Sequence, residues 1–218
     1  MQFLLVFFAT SIISYLLGSI SFSVIVSKLL LKTDVREHGS GNAGATNVFR
    51  LGKFAGLLST LGDIAKAAAS VLIGWLLFST LNPQIIANAE MGQYIAGLFC
   101  MVGHVYPIYF GFRGGKGALT SAIMVLFLDW RIFLVVICVW ILTILISKMI
   151  SLASVLAAVT FPLCVFFFPP MHPDSDKMIF LFISLIISGI VIYKHKSNIV
   201  RIVKGTESKI SIGKKKEQ

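Results

Sequence analysis

Acidic residues are scarce in this chain: nine Asp and Glu stand against 19 Lys and Arg in 218 residues, and only 13% of positions are charged. No cluster of carboxylates is available to hold Mg2+, which argues against nucleotide-dependent transfer chemistry. Cysteine is equally sparse. Cys100, Cys138 and Cys164 are isolated, odd in number and set in apolar stretches, so they read as buried reduced thiols rather than a disulfide framework or metal site. Internal repeats are lacking, and so is any long polar segment that could fold into a basic domain and grip a duplex. The formal charge of +10 therefore does not point to nucleic acid.

What the chain has instead is apolar sequence, with 57% hydrophobic residues, the composition of a polytopic membrane protein. Apolar runs cover roughly 3–31, 54–80, 91–110, 118–128, 132–147, 149–168 and 178–193. The first has no basic residue before it and no small-residue cleavage site after it, so it reads as a retained span. A helix needs about 20 residues to cross the hydrocarbon core, which makes the fourth run short. Asp129-Trp130-Arg131 reads either as an interfacial turn or as a blemish in one long tilted helix, and Asp129, Asp174 and Asp176 as solvated loop residues. Seven spans place 32–53, 111–117, 148 and 194–218 on one side, with Lys28 and Lys66 at helix ends. That side holds 17 of the 19 Lys and Arg, leaving Arg131 and Lys177 opposite. The positive-inside rule then makes it cytoplasmic. The expected fold is an all-α polytopic integral membrane protein, one domain over 1–218, with seven mostly short transmembrane helices, the N-terminus outside and the C-terminus cytoplasmic. Five spans remain the alternative if one later run lies in the interface.

Three polar segments on that side exceed what spacers require: 32–53, 104–118 and 194–209. The first contains Ser40-Gly41-Asn42-Ala43-Gly44-Ala45-Thr46-Asn47-Val48-Phe49-Arg50. An N-capped helix with Thr46 or Asn47 as cap explains one residue, while Arg50 offers a planar fork for a phosphate. The second carries His104 and the loop Gly111-Phe112-Arg113-Gly114-Gly115-Lys116-Gly117. It is not a nucleotide loop: Phe110 stands where the pattern needs glycine, and Gly117 where it needs Ser or Thr. A glycine turn into helix 118–128 still suits an anion. In the third, a continued helix 178–193 would align His195, Asn198 and Arg201 on one face, with Gly205 ending it and Glu207 beyond. The basic tail 210–218, with Lys214, Lys215 and Lys216, reads as a contact with anionic membrane lipid. Asp63 and Lys66, three apart near a helix end, read as an ion pair.

Together these segments supply cations and few bases. No histidine has an aspartate five positions on, since Ala43, Tyr109, Lys177 and Val200 occupy those places, which excludes the His–Asp dyad of the common glycerolipid acyltransferases. Such a site suits phosphorylated reactants with a leaving group that is already good. A transporter of organic phosphate would instead place charges near the bilayer midplane and show repeated halves. A lipid-binding subunit would explain the tail but not three ordered motifs.

The motifs, read as SGNAGATNVFRLG, GHVYPIYFGFRGGKGALT and HKSNIVRIVKGTES with Asp63 and Lys66 between the first two, resemble the bacterial membrane glycerol-3-phosphate acyltransferases of the PlsY family. The resemblance spans nearly the whole chain, with Ala67 standing where a glycine is usual. It implies acyl transfer from acyl phosphate to the 1-hydroxyl of sn-glycerol 3-phosphate, giving lysophosphatidic acid and phosphate, the first acylation of phospholipid biosynthesis. It implies no cofactor and no metal. The setting would be a bacterial inner membrane with the site facing the cytoplasm, supplied by a soluble acyl-phosphate-producing enzyme. By the same resemblance, Lys116 and the backbone of Gly114, Gly115 and Gly117 surround the glycerol 3-phosphate. Ser40, Asn42 and Arg50 hold the acyl phosphate and oxyanion, helped by Asn198 and Arg201. Thr46, Asn47, Lys66, His104 and Glu207 are expected at the substrates. Direct attack without an acyl-enzyme is expected, with either His195 or a substrate phosphate as base. Trapping an acyl group on Ser40 would contradict it.

Overall fold

In a computed structural model, residues 2–80, 86–171 and 176–210 are described. The tail from 211 onward, with Lys214, Lys215 and Lys216, and the loop residue Asp174 lie outside them. All described regular structure is helical. The helices are α1 (Gln2–Gly18), α2 (Phe22–Leu31), α3 (Ala45–Leu51), α4 (Lys53–Ser79), α5 (Ile86–Val105), α6 (Ala118–Leu128), α7 (Trp130–Ser147), α8 (Ile150–Phe167), α9 (Lys177–Lys194) and α10 (Lys196–Val203).

Five stretches among the described residues are long and apolar enough to cross a membrane: Gln2–Leu31, Lys53–Ser79, Trp130–Ser147, Ile150–Phe167 and Lys177–Lys194. The expectation of seven spans therefore stands at five by length and composition. The 11 residues of α6 are too short for that set, and α5 lies outside it. Each of α4 through α9 packs against its successor, and α1 lies along α4 and α5. The main apolar core runs through these helices, from Val71 and Met101 to Met124, Phe161, Ile187 and Val191.

The expected single run over 3–31 is broken. After α1 the chain turns through 19–21 before α2 begins, and the carbonyls of Gly18 and Ile20 are taken by the Lys66 ammonium at 3.0 and 2.8 Å. The expected run to 110 also stops early, because α5 ends at Val105, two residues before Pro107, whose ring disfavours helix in the residue before it. The helix of the first motif is capped at Gly44, not at Thr46 or Asn47. The helix of the third motif is interrupted at His195, where α9 ends and α10 begins. Asp129 is buried, contrary to the solvated reading. It caps α7 through Arg131 N and pairs with the Arg131 guanidinium at 2.7 Å. Asp176 is exposed and caps α9. Cys100 and Cys164 are buried, as expected, but Cys138 is exposed on α7.

The loop between α2 and α3 has its own small core of Val24, Val35, Ala43, Val48 and Ala55. Asp34 locks this loop. It accepts from Arg36 N, pairs with the Arg36 guanidinium at 2.8 Å and lies 3.3 Å from Lys28. Arg36 in turn donates to Phe110 O at 2.8 Å, which ties the first motif to the second. Loss of a partly buried charge-assisted pair costs about 1.5–3 kcal/mol. Asp34→Ala should therefore lower the melting temperature of the detergent-purified protein by several degrees, measured by thermal unfolding, whereas Glu37→Ala should not.

Candidate active site

The three motifs meet at one end of the bundle, around a cavity of about 1130 Å³. Its polar mouth is lined by Ser40, Asn42, Thr46, Arg50, Lys116 and Gly117, facing His104, His195, Asn198, Arg201 and Glu207. Its other arm is apolar and runs between α6, α7, α8 and α9, past Val125, Phe133, Val136, Trp140, Phe161 and Ile187.

Glu207 organises the third motif. A reversal after α10 brings it back: Thr206 N donates to Arg201 O at 2.8 Å and Gly205 N to Ile202 O at 3.0 Å, with Gly205 at φ +70°. This paired bonding is the Schellman termination that a glycine permits. The carboxylate then accepts from Ser151 Oγ at 2.7 Å, Asn198 Nδ2 at 2.8 Å and Arg201 Nε at 2.7 Å. Burial pushes the Glu207 carboxyl up, but those three hydrogen bonds and the Arg201 charge outweigh burial and hold it below its ordinary value. With the Asn198 amide so oriented, its Oδ1 accepts from Lys116 Nζ.

Lys116 sits on the glycine loop just ahead of α6. Gly117 caps that helix at φ +83°, a conformation open to glycine and strained for other residues. Burial lowers the Lys116 ammonium to about 8, and the charges of Arg201 and Arg50 act in the same direction against Glu207. Across the mouth, Arg50 donates to Ser208 Oγ at 3.3 Å and links the first motif to the segment carrying Glu207.

His195 is buried, and its Nδ1 lies 2.8 Å from Val191 O. A carbonyl can only accept, so Nδ1 carries the proton and Nε2 keeps its lone pair. Burial lowers its pKa, with the Lys116 charge adding to the effect, so the ring is neutral at pH 7.

Not every expected residue offers its polar atoms to the cavity. Asn47 lines it but spends its amide on the loop, donating to Val35 O at 3.0 Å and His38 O at 2.8 Å and accepting from Ser40 N at 3.3 Å. Lys66 lies beneath, 2.9 Å from Asp63, which agrees with the expected ion pair. Gly114 and Gly115 are buried behind the lining. Ser151 and Ser208 were missed by sequence reasoning, since a lone serine at the head of an apolar helix or in a tail carries no chemical signal. The apolar arm was missed because its residues read as ordinary span residues.

Comparisons with known proteins agree with this geometry. The profile of the glycerol-3-phosphate acyltransferase family matches residues 8–205. The chain is 38% identical to the glycerol-3-phosphate acyltransferase of Chlorobaculum tepidum, over 97% of this chain and 100% of that one. It is 40% identical to glycerol-3-phosphate acyltransferase 2 of Bacillus anthracis, over 92% and 97%. The crystal structure of PlsY (YgiH), an integral membrane glycerol 3-phosphate acyltransferase, superposes in its glycerol 3-phosphate form with a TM-score of 0.78, at 32% identity over 94% of this chain and 96% of that one. Its lysophosphatidic acid form gives a TM-score of 0.74 over 94% and 95%. Fold and site thus define an integral membrane acyltransferase of phospholipid biosynthesis. Specifically, the chain belongs to the PlsY family of glycerol-3-phosphate acyltransferases.

The titration of Lys116 at the mouth sets an expected pH profile. Lys116, expected to hold a phosphate, can do so only while charged, and it loses its proton as pH rises through about 8. The kcat/KM for glycerol 3-phosphate, which reports the free enzyme, should therefore fall above pH 8. In Lys116→Arg the alkaline limb should disappear, because an arginine stays protonated in that range.

Proposed function

We propose that this enzyme transfers an acyl group from acyl phosphate to the 1-hydroxyl of sn-glycerol 3-phosphate, releasing lysophosphatidic acid and phosphate. The observation that carries this reading is the shape and chemistry of one cavity: a mouth bearing Arg50, Lys116 and Arg201 opens directly into an apolar arm. An acyl phosphate has the matching form, a phosphate head on a hydrocarbon tail. The relatives' names and the glycerol 3-phosphate and lysophosphatidic acid forms of PlsY support the acceptor and the product.

The glycerol 3-phosphate phosphate sits at the glycine loop, against Lys116, with Arg201 and Asn198 beside it. The donor carbonyl lies towards Ser40, Asn42 and Arg50, which donate to the oxyanion as it forms. Thr46 lines the same wall, and Asn47 holds the Ser40 backbone in place. The acceptor hydroxyl attacks the carbonyl carbon, the new C–O ester bond forms, the bond to phosphate breaks, and the hydroxyl proton leaves to a base. His195 Nε2 is the acceptor that the chain supplies. The departing phosphate is the other, and a variant separates them: His195→Ala should cost roughly 100-fold or more in kcat when the imidazole is the base. Activity within tenfold of the parent would assign the proton to phosphate. Orientation and charge stabilisation carry the remainder, because phosphate leaves without a strong acid. Taking α5 and the short α6 as crossings beside the five long apolar stretches makes seven, and with the N-terminus outside and the motif end at the cytoplasmic face of a bacterial inner membrane the site would lie beside a soluble enzyme that makes acyl phosphate. The charge asymmetry supports that orientation.

The test is purified protein in detergent with glycerol 3-phosphate and either acyl phosphate or acyl-CoA. Lysophosphatidic acid should form from acyl phosphate alone. Lys116→Ala and Arg50→Ala should each lower kcat/KM by roughly 100-fold or more, as expected for loss of a charge placed on a phosphate or oxyanion. Product from acyl-CoA alone would overturn the donor assignment.

A further inference from the structure

Lys66, Asp63 and His104 form a buried cluster under the glycine loop, with 4%, 2% and 7% of their surface exposed. An ammonium has three protons and no acceptor. Those of Lys66 go to Gly18 O at 3.0 Å, Ile20 O at 2.8 Å and His104 Nδ1 at 3.0 Å. Asp63 Oδ1, 2.9 Å from the ammonium, supplies the counter-charge. The same oxygen lies 3.6 Å from His104 Nδ1, beyond hydrogen-bonding distance. Because Lys66 can only donate, Nδ1 must accept, and the single proton of a neutral ring is left on Nε2.

The ring borders the site and the glycine loop. His104 lines the cavity. Gly115 lies directly over the ring, where a Cβ would collide with Nε2, and Gly115 N donates to His104 O at 3.0 Å. The glycine therefore rests against the Nε2 edge of His104, next in sequence to Lys116, where any side chain would push the loop off the ring. His195 is wired the opposite way, with its proton on Nδ1 and its Nε2 accepting. One cavity thus holds two histidines in complementary forms.

We propose that His104 donates an Nε2–H hydrogen bond to the substrate phosphate held at the glycine loop, and that Lys66 is a positioning residue that fixes this form without touching substrate. The proposal rests on the reading of glycerol 3-phosphate as acceptor. It reassigns Lys66 from substrate contact to the scaffold that bridges the break between α1 and α2.

The test uses the full chain in detergent micelles with 15N-labelled histidine, the His104 signals being those absent from His104→Gln. At pH 7 they should report the Nε2–H form, inorganic phosphate should shift Nε2, and Lys66→Met should erase the tautomer preference. In the acyl transfer assay, His104→Leu should raise KM for glycerol 3-phosphate roughly 10- to 100-fold with kcat little changed, the range for a hydrogen bond to a charged group. His104→Gln, which keeps an N–H donor, should recover most of that loss. A proton on Nδ1, a signal indifferent to phosphate, or an unchanged KM in His104→Leu would overturn the proposal. A parent enzyme that does not acylate glycerol 3-phosphate would defeat the functional reading instead, and the tautomer and phosphate shift would still decide the role of His104.

Discussion

The site depends on one carboxylate. Glu207 is the acidic group that stands among Arg50, Lys116 and Arg201, and it gathers Ser151 from the head of α8, Asn198 from α10 and Arg201 one turn further along. Like charges in a partly desolvated pocket repel strongly. A single anion fixed by three hydrogen bonds lets the cations stand together without substrate, and it chooses which end of the Asn198 amide faces Lys116. The glycine loop, four helices away in sequence, is thereby tied to the third motif.

A second constraint lies below. The break between α1 and α2 leaves backbone carbonyls without helical partners in a buried place, which is costly unless a donor reaches them. Lys66 is that donor, with Asp63 holding its charge. An ion pair inside a span looks expensive in isolation. Here it closes a defect in the helix packing and supports His104 beneath the glycine loop. Asp34 and Arg36, partly buried, do the equivalent for the first motif, so the first and second motif loops each stand on a charge pair.

Much of this was legible in the sequence. The helices α4, α6, α7, α8 and α9 fall within two residues of the apolar runs, because burial in hydrocarbon and burial in a bundle demand the same side chains. The motifs were legible as well, since glycines, amides and cations have no reason to cluster between spans except chemistry. What stayed hidden involves bonds between remote segments. Ser19 and Ser21 are small enough to pass within an apolar run, so the break at α1 left no mark. Asp129 looked like a loop residue until the capping of α7 buried it. Glu207 was expected at the substrates, but its part in joining segments was hidden, because that comes from Ser151, 56 positions earlier. Asn47 and Lys66 looked like ligand contacts because sequence gives residue type and not which carbonyls lie within reach.

The most direct test of this account is the kcat/KM for glycerol 3-phosphate of Glu207→Gln, which keeps the size of the side chain and removes its charge. The amide still bonds Ser151 or Asn198, but it presents no anion to Arg201, and charge-assisted bonds are worth about 1.5–3 kcal/mol. A fall of roughly 10- to 100-fold, in a protein that still folds with its melting temperature lowered by no more than several degrees, is the expected result. Activity equal to the parent's would contradict the claim that this carboxylate holds the site together.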